Sequence, residues 1–206
     1  MLKYIPITLF LLLGLTSCSA TEEQNYSNDV TWLIDALELT QESVVADVGA
    51  GDGQQAMQIA GFLGPGGELY ATELGGDALQ NLRRIIDIRE AENITLLEGH
   101  PAKTNLPAEC CDAIYMRRVY HHVAQPDSMN LSLFHSLKPG GRLAILDFEP
   151  DGAEGEPGDR DEGDSHGVTT ETLVDELTNA GFKQIRDVHF SGRYYQVVFQ
   201  RPMLPN

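Results

Sequence analysis

The segment DVGAGDG, Asp47 to Gly53, sets a carboxylate ahead of three glycines at alternate positions. Such a loop turns tightly and brings its backbone close to a ligand. It matches neither common phosphate-binding pattern. Gln54 stands where a dinucleotide fingerprint starting at Gly49 needs its third glycine, and the Gly-Lys-Ser/Thr of a phosphate-cradling loop is absent. Asp47 would repel a diphosphate and attract an ammonium group. Glu73, closing the next apolar run, is placed to accept both hydroxyls of a ribose. The pair points to a nucleoside that carries an amino acid.

The densest chemical segment is Arg117-Arg118-Val119-Tyr120-His121-His122-Val123. A histidine near its ordinary pKa of about 6.5 can take a proton from an amine, thiol or hydroxyl. His121 and His122 are therefore candidate bases, and Tyr120 a candidate to orient a nucleophile; the competing role for each histidine is a cap or a packing contact. His166, and His189 with Tyr194 and Tyr195, could converge on the same place. Zinc ligands need only converge in space, so His122, His166 and His189 could make such a site, but no metal is expected. Neither a Ser-His-Asp pattern nor Gly-x-Ser-x-Gly is present, so no covalent intermediate is expected.

Elements that would position these residues follow from periodicity. TWLIDALEL reads as a short helix, VVAD as strand one, QQAMQIAGFL as a helix and ELYATEL as strand two. DALQNLRRIIDIREAE is helical, with Leu79, Leu82, Ile85 and Ile86 on one side. NITLLEG and CDAIYMRRV read as strands three and four, then a helix from Pro126 to Leu137, a break at Lys138-Pro139-Gly140-Gly141 and strand five, RLAILDF. A helix in TTETLVDELTNAGF precedes two final strands, FKQIRDVHF and YYQVVFQRP. Alternating strands and helices predict an α/β, mostly parallel sheet with helices on both faces, ending in an antiparallel pair.

Acidic residues outnumber Lys and Arg by 31 to 14 among 206 residues, a formal charge of -17. That field argues against a nucleic-acid partner and leaves a small-molecule substrate open. The segment from Glu149 to Asp164 is acidic and glycine-rich, predicting a solvated insert or a landing site for a cationic substrate or calcium. Cys110 and Cys111 are adjacent and read as small packing residues before a strand. The length predicts one domain, over residues 30–206. Ahead of it, residues 1–17 read as a signal peptide whose apolar run is shorter than the about 20 residues a spanning helix needs. LTSC, ending at Cys18, resembles a bacterial lipoprotein cleavage box. That resemblance implies acyl chains on Cys18, a tether over residues 18–29, and an envelope location. Ser19 resembles the pattern of lipoproteins sent to the outer membrane, facing the periplasm.

Taken together, VVADVGAGDG, YATEL, LKPGGRLAILDF and NAGF resemble the class I S-adenosylmethionine-dependent methyltransferases, over about Thr31 to Arg201. The resemblance implies a Rossmann-like seven-stranded sheet in the order 3-2-1-4-5-7-6, S-adenosyl-L-methionine as cofactor and methyl transfer as the reaction. It implies that Gly49, Ala50 and Gly51 lie against the methionine part, Asp47 contacts that region, and Glu73 holds the ribose. Gly53, Gly99, His100 and Arg117 are further cofactor candidates. Many members follow strand three with Gly-Asp to receive the adenine amino group; here the pair is Gly99-His100. A backbone carbonyl, a histidine nitrogen or a residue of PAKTNLP could make that contact. Two other functions compete: a binding or scaffold protein on the same fold, and an enzyme using the pocket for different chemistry.

Overall fold

Alternation along the strands of the computed structural model, which describes residues 28–152, 160 and 167–203, divides the interior into two apolar clusters. Strands β1 (Val44–Val48), β2 (Glu68–Glu73), β3 (Ile94–Glu98), β4 (Cys111–Arg117) and β5 (Leu137–Phe148) run parallel; β6 (Lys183–Gln184), β7 (His189–Ser191) and β8 (Tyr194–Gln200) complete the sheet. Val45, Ala113, Tyr115 and Ala144 face helices α1 (28–36), α2 (Gln54–Phe62) and α3 (Asp77–Arg89), which contribute Leu33, Ile59 and Leu82. Ala46, Ile114, Met116 and Ile145 face α4 (Pro126–Ser136) and α5 (Thr170–Asn179), with Leu133 and Leu173. A period of two in the strands thus meets a helical stripe on each side.

The order is β3-β2-β1-β4-β5-β8-β6, with β7 also paired to β8. The expected order holds, and the count is eight because FKQIRDVHF is interrupted. From Gln184 to His189 the chain takes five steps while β8 takes three between their partners Phe199 and Gln196, so two residues loop out. Arg186 at that loop bonds to Asp35 of α1 at 2.8 Å. Strand β5 starts at Leu137 rather than Arg142, because the Pro-Gly-Gly run is absorbed as an irregularity between the Cys111 and Ala113 pairings, with Gly140 at φ +85°. Helix α1 already includes Asn28 and Asp29, which the sequence assigns to the tether.

The proposed signal peptide, Cys18 and nearly all of the tether lie outside the described residues, as do His166 and most of the acidic insert. Among the described residues no helix is long and apolar enough to cross a membrane.

Candidate active site

Parallel register brings the ends of β1, β2 and β4 level: Asp47 lies beside Tyr115 and Ala71, and Glu73 follows Thr72, the partner of Val48. The glycine loop then folds over the end of β2. Gly49 and Ala50 donate their N–H groups to the Thr72 carbonyl at 3.0 and 2.9 Å, and Gly51 donates to Glu73 Oε2 at 2.7 Å. Three successive amides are therefore already bonded, and the loop is not the anion cradle of a phosphate-binding loop.

The three glycines have different reasons. All have positive φ. A Cβ on Gly49 would lie 2.6 Å from Val119 Cγ2, so this glycine admits the loop after β4. A Cβ on Gly53 would lie 2.6 Å from Leu82 Cδ1. Gly53 is a packing residue at the start of α2 and does not line the cavity, which corrects its assignment to the cofactor. A Cβ on Gly51 would meet nothing within 4 Å, so its open side is left for a ligand.

That open side belongs to a cavity of about 750 Å³ lined by Asp47, Gly49, Ala50, Gly51, Glu73, Gly99, His100, Arg117 and His122, among others. Asp47 is 2% exposed, accepts from the Tyr115 hydroxyl at 2.8 Å, and has no ion-pair partner among the described residues. Burial pushes its carboxyl up to about 7; the Tyr115 hydrogen bond opposes that rise, and the neighbouring Glu73 charge adds to it. Tyr115 is itself pushed well above its ordinary value by burial and by Asp47. Gln55, which the sequence did not single out, is 4% exposed and lines the same cavity, with neither amide atom partnered among the described residues. Its only sequence signal was a polar residue on the buried face of α2.

An amino-acid nucleoside fits these groups. The Asp47 carboxyl can meet a cation, Glu73 has lone pairs left for ribose hydroxyls, Gly51 lets a ligand lie against the backbone, and Gln55 lacks a hydrogen-bond partner among the described residues. On the Gly99–His100 side of the cavity, Ala102 N–H donates to His100 Nδ1 at 3.1 Å. The neutral His100 ring therefore carries its proton on Nε2 and offers a donor.

The segment after β4 separates its candidates. His122 lines the cavity. His121 does not: it is 3% exposed, with Nδ1 2.8 Å from Asp147 Oδ1 and its backbone N–H on Asp147 Oδ2. Tyr120 is fully buried, donating to Glu176 at 2.8 Å and accepting from Asn130 at 2.7 Å. Burial and the Glu176 charge push its hydroxyl well above the ordinary value. Placing Tyr120 and His121 at the reacting atoms is therefore corrected: both are buried supports. Arg117 pairs with Asp29 of α1 at 2.7 Å while still lining the cavity. Among the described residues no group of three His, Cys, Asp or Glu could hold a metal.

A second cavity, of about 670 Å³, adjoins the first through Arg117 and Arg118 and is walled by α1, the end of β5 and the β7–β8 hairpin. Trp32, His189, Tyr194 and Tyr195 line it.

Residues 46–145 match the family model for a methyltransferase domain. The ubiquinone/menaquinone biosynthesis C-methyltransferase UbiE of Pseudomonas fluorescens (strain SBW25) is 29% identical over 105 residues, which cover 50% of this chain and 41% of that protein. The chain thus matches less than half the length of that relative. A SAM-dependent methyltransferase from Aquifex aeolicus superposes with a TM-score of 0.70 at 24% identity, covering 84% of this chain and 89% of that one. The [4+2]-cyclase SpnF superposes at 0.73 with 16% identity, over 85% and 81% of the two chains. One fold therefore carries more than one chemistry. Residues 46–145 thus match a methyltransferase domain, on a fold that this chain shares with a SAM-dependent methyltransferase, and both indicate S-adenosyl-L-methionine as the cofactor.

Proposed function

We propose that the chain transfers a methyl group from S-adenosyl-L-methionine to a small-molecule acceptor. The carrying observation is Asp47: a carboxyl 2% exposed, facing the cavity behind the glycine loop, with no ion pair among the described residues and only a weaker pull from the Arg117 charge. Bound there, the cofactor supplies an electrophilic methyl group on a positively charged sulfur. Asp47 holds the amino-acid part, Glu73 the ribose hydroxyls, and Gly49, Ala50 and Gly51 the path of the methionine chain. The acceptor's nucleophilic atom would take that methyl group, with the carbon–sulfur electron pair left on sulfur. His122, on the cavity wall, takes the acceptor's proton. Catalysis otherwise consists of alignment and exclusion of water.

The name of the Pseudomonas fluorescens relative assigns it C-methylation in ubiquinone and menaquinone biosynthesis, which supports a small organic acceptor. Calorimetric titration of the full chain with S-adenosylmethionine and S-adenosylhomocysteine is expected to show micromolar binding that Glu73→Ala weakens; no binding to either overturns the proposal. With an acceptor in hand, His122→Gln is expected to lower turnover by about 100-fold or more. Tight cofactor binding without transfer to any acceptor would favour other chemistry on the same pocket, as the cyclase neighbour illustrates.

We also infer that Cys18 is lipidated and ties the domain to the bacterial outer membrane, facing the periplasm; LTSC followed by Ser19 supports this.

A further inference from the structure

Arg118 is the residue at which β4 turns toward the site, and its backbone is left-handed, φ +56°. For a residue with a Cβ that conformation costs about 1–2 kcal/mol. Its N–H donates to the Leu146 carbonyl at 2.7 Å, which holds the turn in place. The side chain lines both cavities, and its guanidinium lies 5.1 Å from the centre of the Tyr194 ring.

Around it the acids are engaged elsewhere. Asp29 pairs with Arg117 at 2.7 Å, and Asp147 accepts from His121 and from its own neighbour, the Phe148 N–H, at 3.0 Å. Asp151 pairs with Arg193. No carboxylate forms an ion pair with Arg118 among the described residues. In a chain of charge -17, this guanidinium thus has no acid partner among the described residues, at the junction of two cavities and on a strained backbone. The second cavity offers it an aromatic setting: Trp32 from α1, and Tyr194 and Tyr195 from β8.

We propose that the second cavity is the acceptor pocket and takes an aromatic molecule bearing an oxyanion such as a carboxylate. The Arg118 guanidinium binds the anion, and the ring packs among Trp32, Tyr194 and Tyr195. This rests on the methyl-transfer reading, whose donor cavity meets this pocket at Arg117 and Arg118. The sequence-based expectation of a cationic acceptor came from residues 149–164, most of which lie outside the described residues; the described wall carries Arg118. The overall negative field acts weakly here, since charges beyond about 8 Å are screened at physiological salt.

Trp32 is the sole tryptophan of the chain and lines the second cavity but not the first, so its fluorescence reports on that pocket directly. The full chain is titrated with phenylacetate and with its neutral analogue phenylacetamide, with and without S-adenosylhomocysteine. A saturable change with phenylacetate is expected, about tenfold weaker for the amide, the size of one charge-assisted hydrogen bond. Arg118→Asn, which tolerates a left-handed backbone, is expected to lose the preference, and Arg118→Lys, which keeps the charge but not the planar stacking group, to keep part of it. Equal binding of acid and amide, a preference that survives Arg118→Asn, or no saturable change overturns the proposal. Calorimetry with S-adenosylhomocysteine reads the donor cavity separately. Binding there without a phenylacetate response defeats only the acceptor pocket, and the reverse result defeats the methyl-transfer reading.

Discussion

Asp47 gives two pH dependences of opposite sign. Its folded pKa of about 7 lies above its ordinary value of 3.8. Between those values the folded protein holds a proton that the unfolded chain has lost. The contribution to stability is fully present below the unfolded value and is lost as pH rises through about 7. Thermal melts of the ligand-free protein are therefore expected to show wild type losing stability relative to Asp47→Asn from about pH 5 to about pH 8. Parallel melting curves for the two proteins would contradict this. Cofactor binding needs the ionised carboxylate to meet a positive ligand, so wild-type affinity is expected to rise over the same interval. Calorimetry at both ends checks it. His100 belongs to the same scale. With Nδ1 taken by the Ala102 N–H, its ring can donate to an adenine ring nitrogen and cannot receive the amino group, so of the contacts left open by the sequence the histidine acceptor is removed.

Elements decide which of several adjacent candidates reaches the chemistry. Tyr120, His121 and His122 form one turn of 3₁₀ helix, where successive side chains point about 120° apart. They accordingly go three ways: to Glu176 on α5, to Asp147 at the end of β5, and to the cavity. Residue types alone made all three look reactive. Glycine spacing and strand ends, by contrast, were legible, because Asp47 and Glu73 are placed by local strand–loop–helix geometry. Arg160 was not legible: within an acidic insert it is 1% exposed and grips both oxygens of Glu176, at 3.0 and 2.8 Å. Arg160 itself is thus tied to α5. Removing one partner of a buried pair leaves the other charge uncompensated, so Arg160→Ala is expected to cost about 3–5 kcal/mol in urea unfolding, and Arg160→Met with Glu176→Gln, whose amide oxygen still accepts from Tyr120, to recover part of it. A single-variant loss within experimental error would mean the pair contributes nothing.

For the whole molecule, the charge of -17 and the proposed anchor act together. An acidic domain beside an anionic membrane surface is repelled within about 8 Å, so attachment through Cys18 would need its acyl chains and gain nothing from the protein surface. Radiolabelled fatty acid is expected to enter the wild type and not Cys18→Ala, which should leave the membrane fraction; equal labelling of both would refute lipidation at that cysteine. Sheet topology adds a constraint in time. Strand β8, the last in the chain, lies between β5 on one side and β6 and β7 on the other, pairing Leu143 with Phe199 and Ile145 with Val197. Everything around the glycine loop precedes it in the chain, whereas Tyr194 and Tyr195 of the second cavity lie within it. In whichever compartment the chain folds, the outer edge of β5 stays bare until β8 slots in beside it, and only then do Tyr194 and Tyr195 complete the wall of the aromatic pocket.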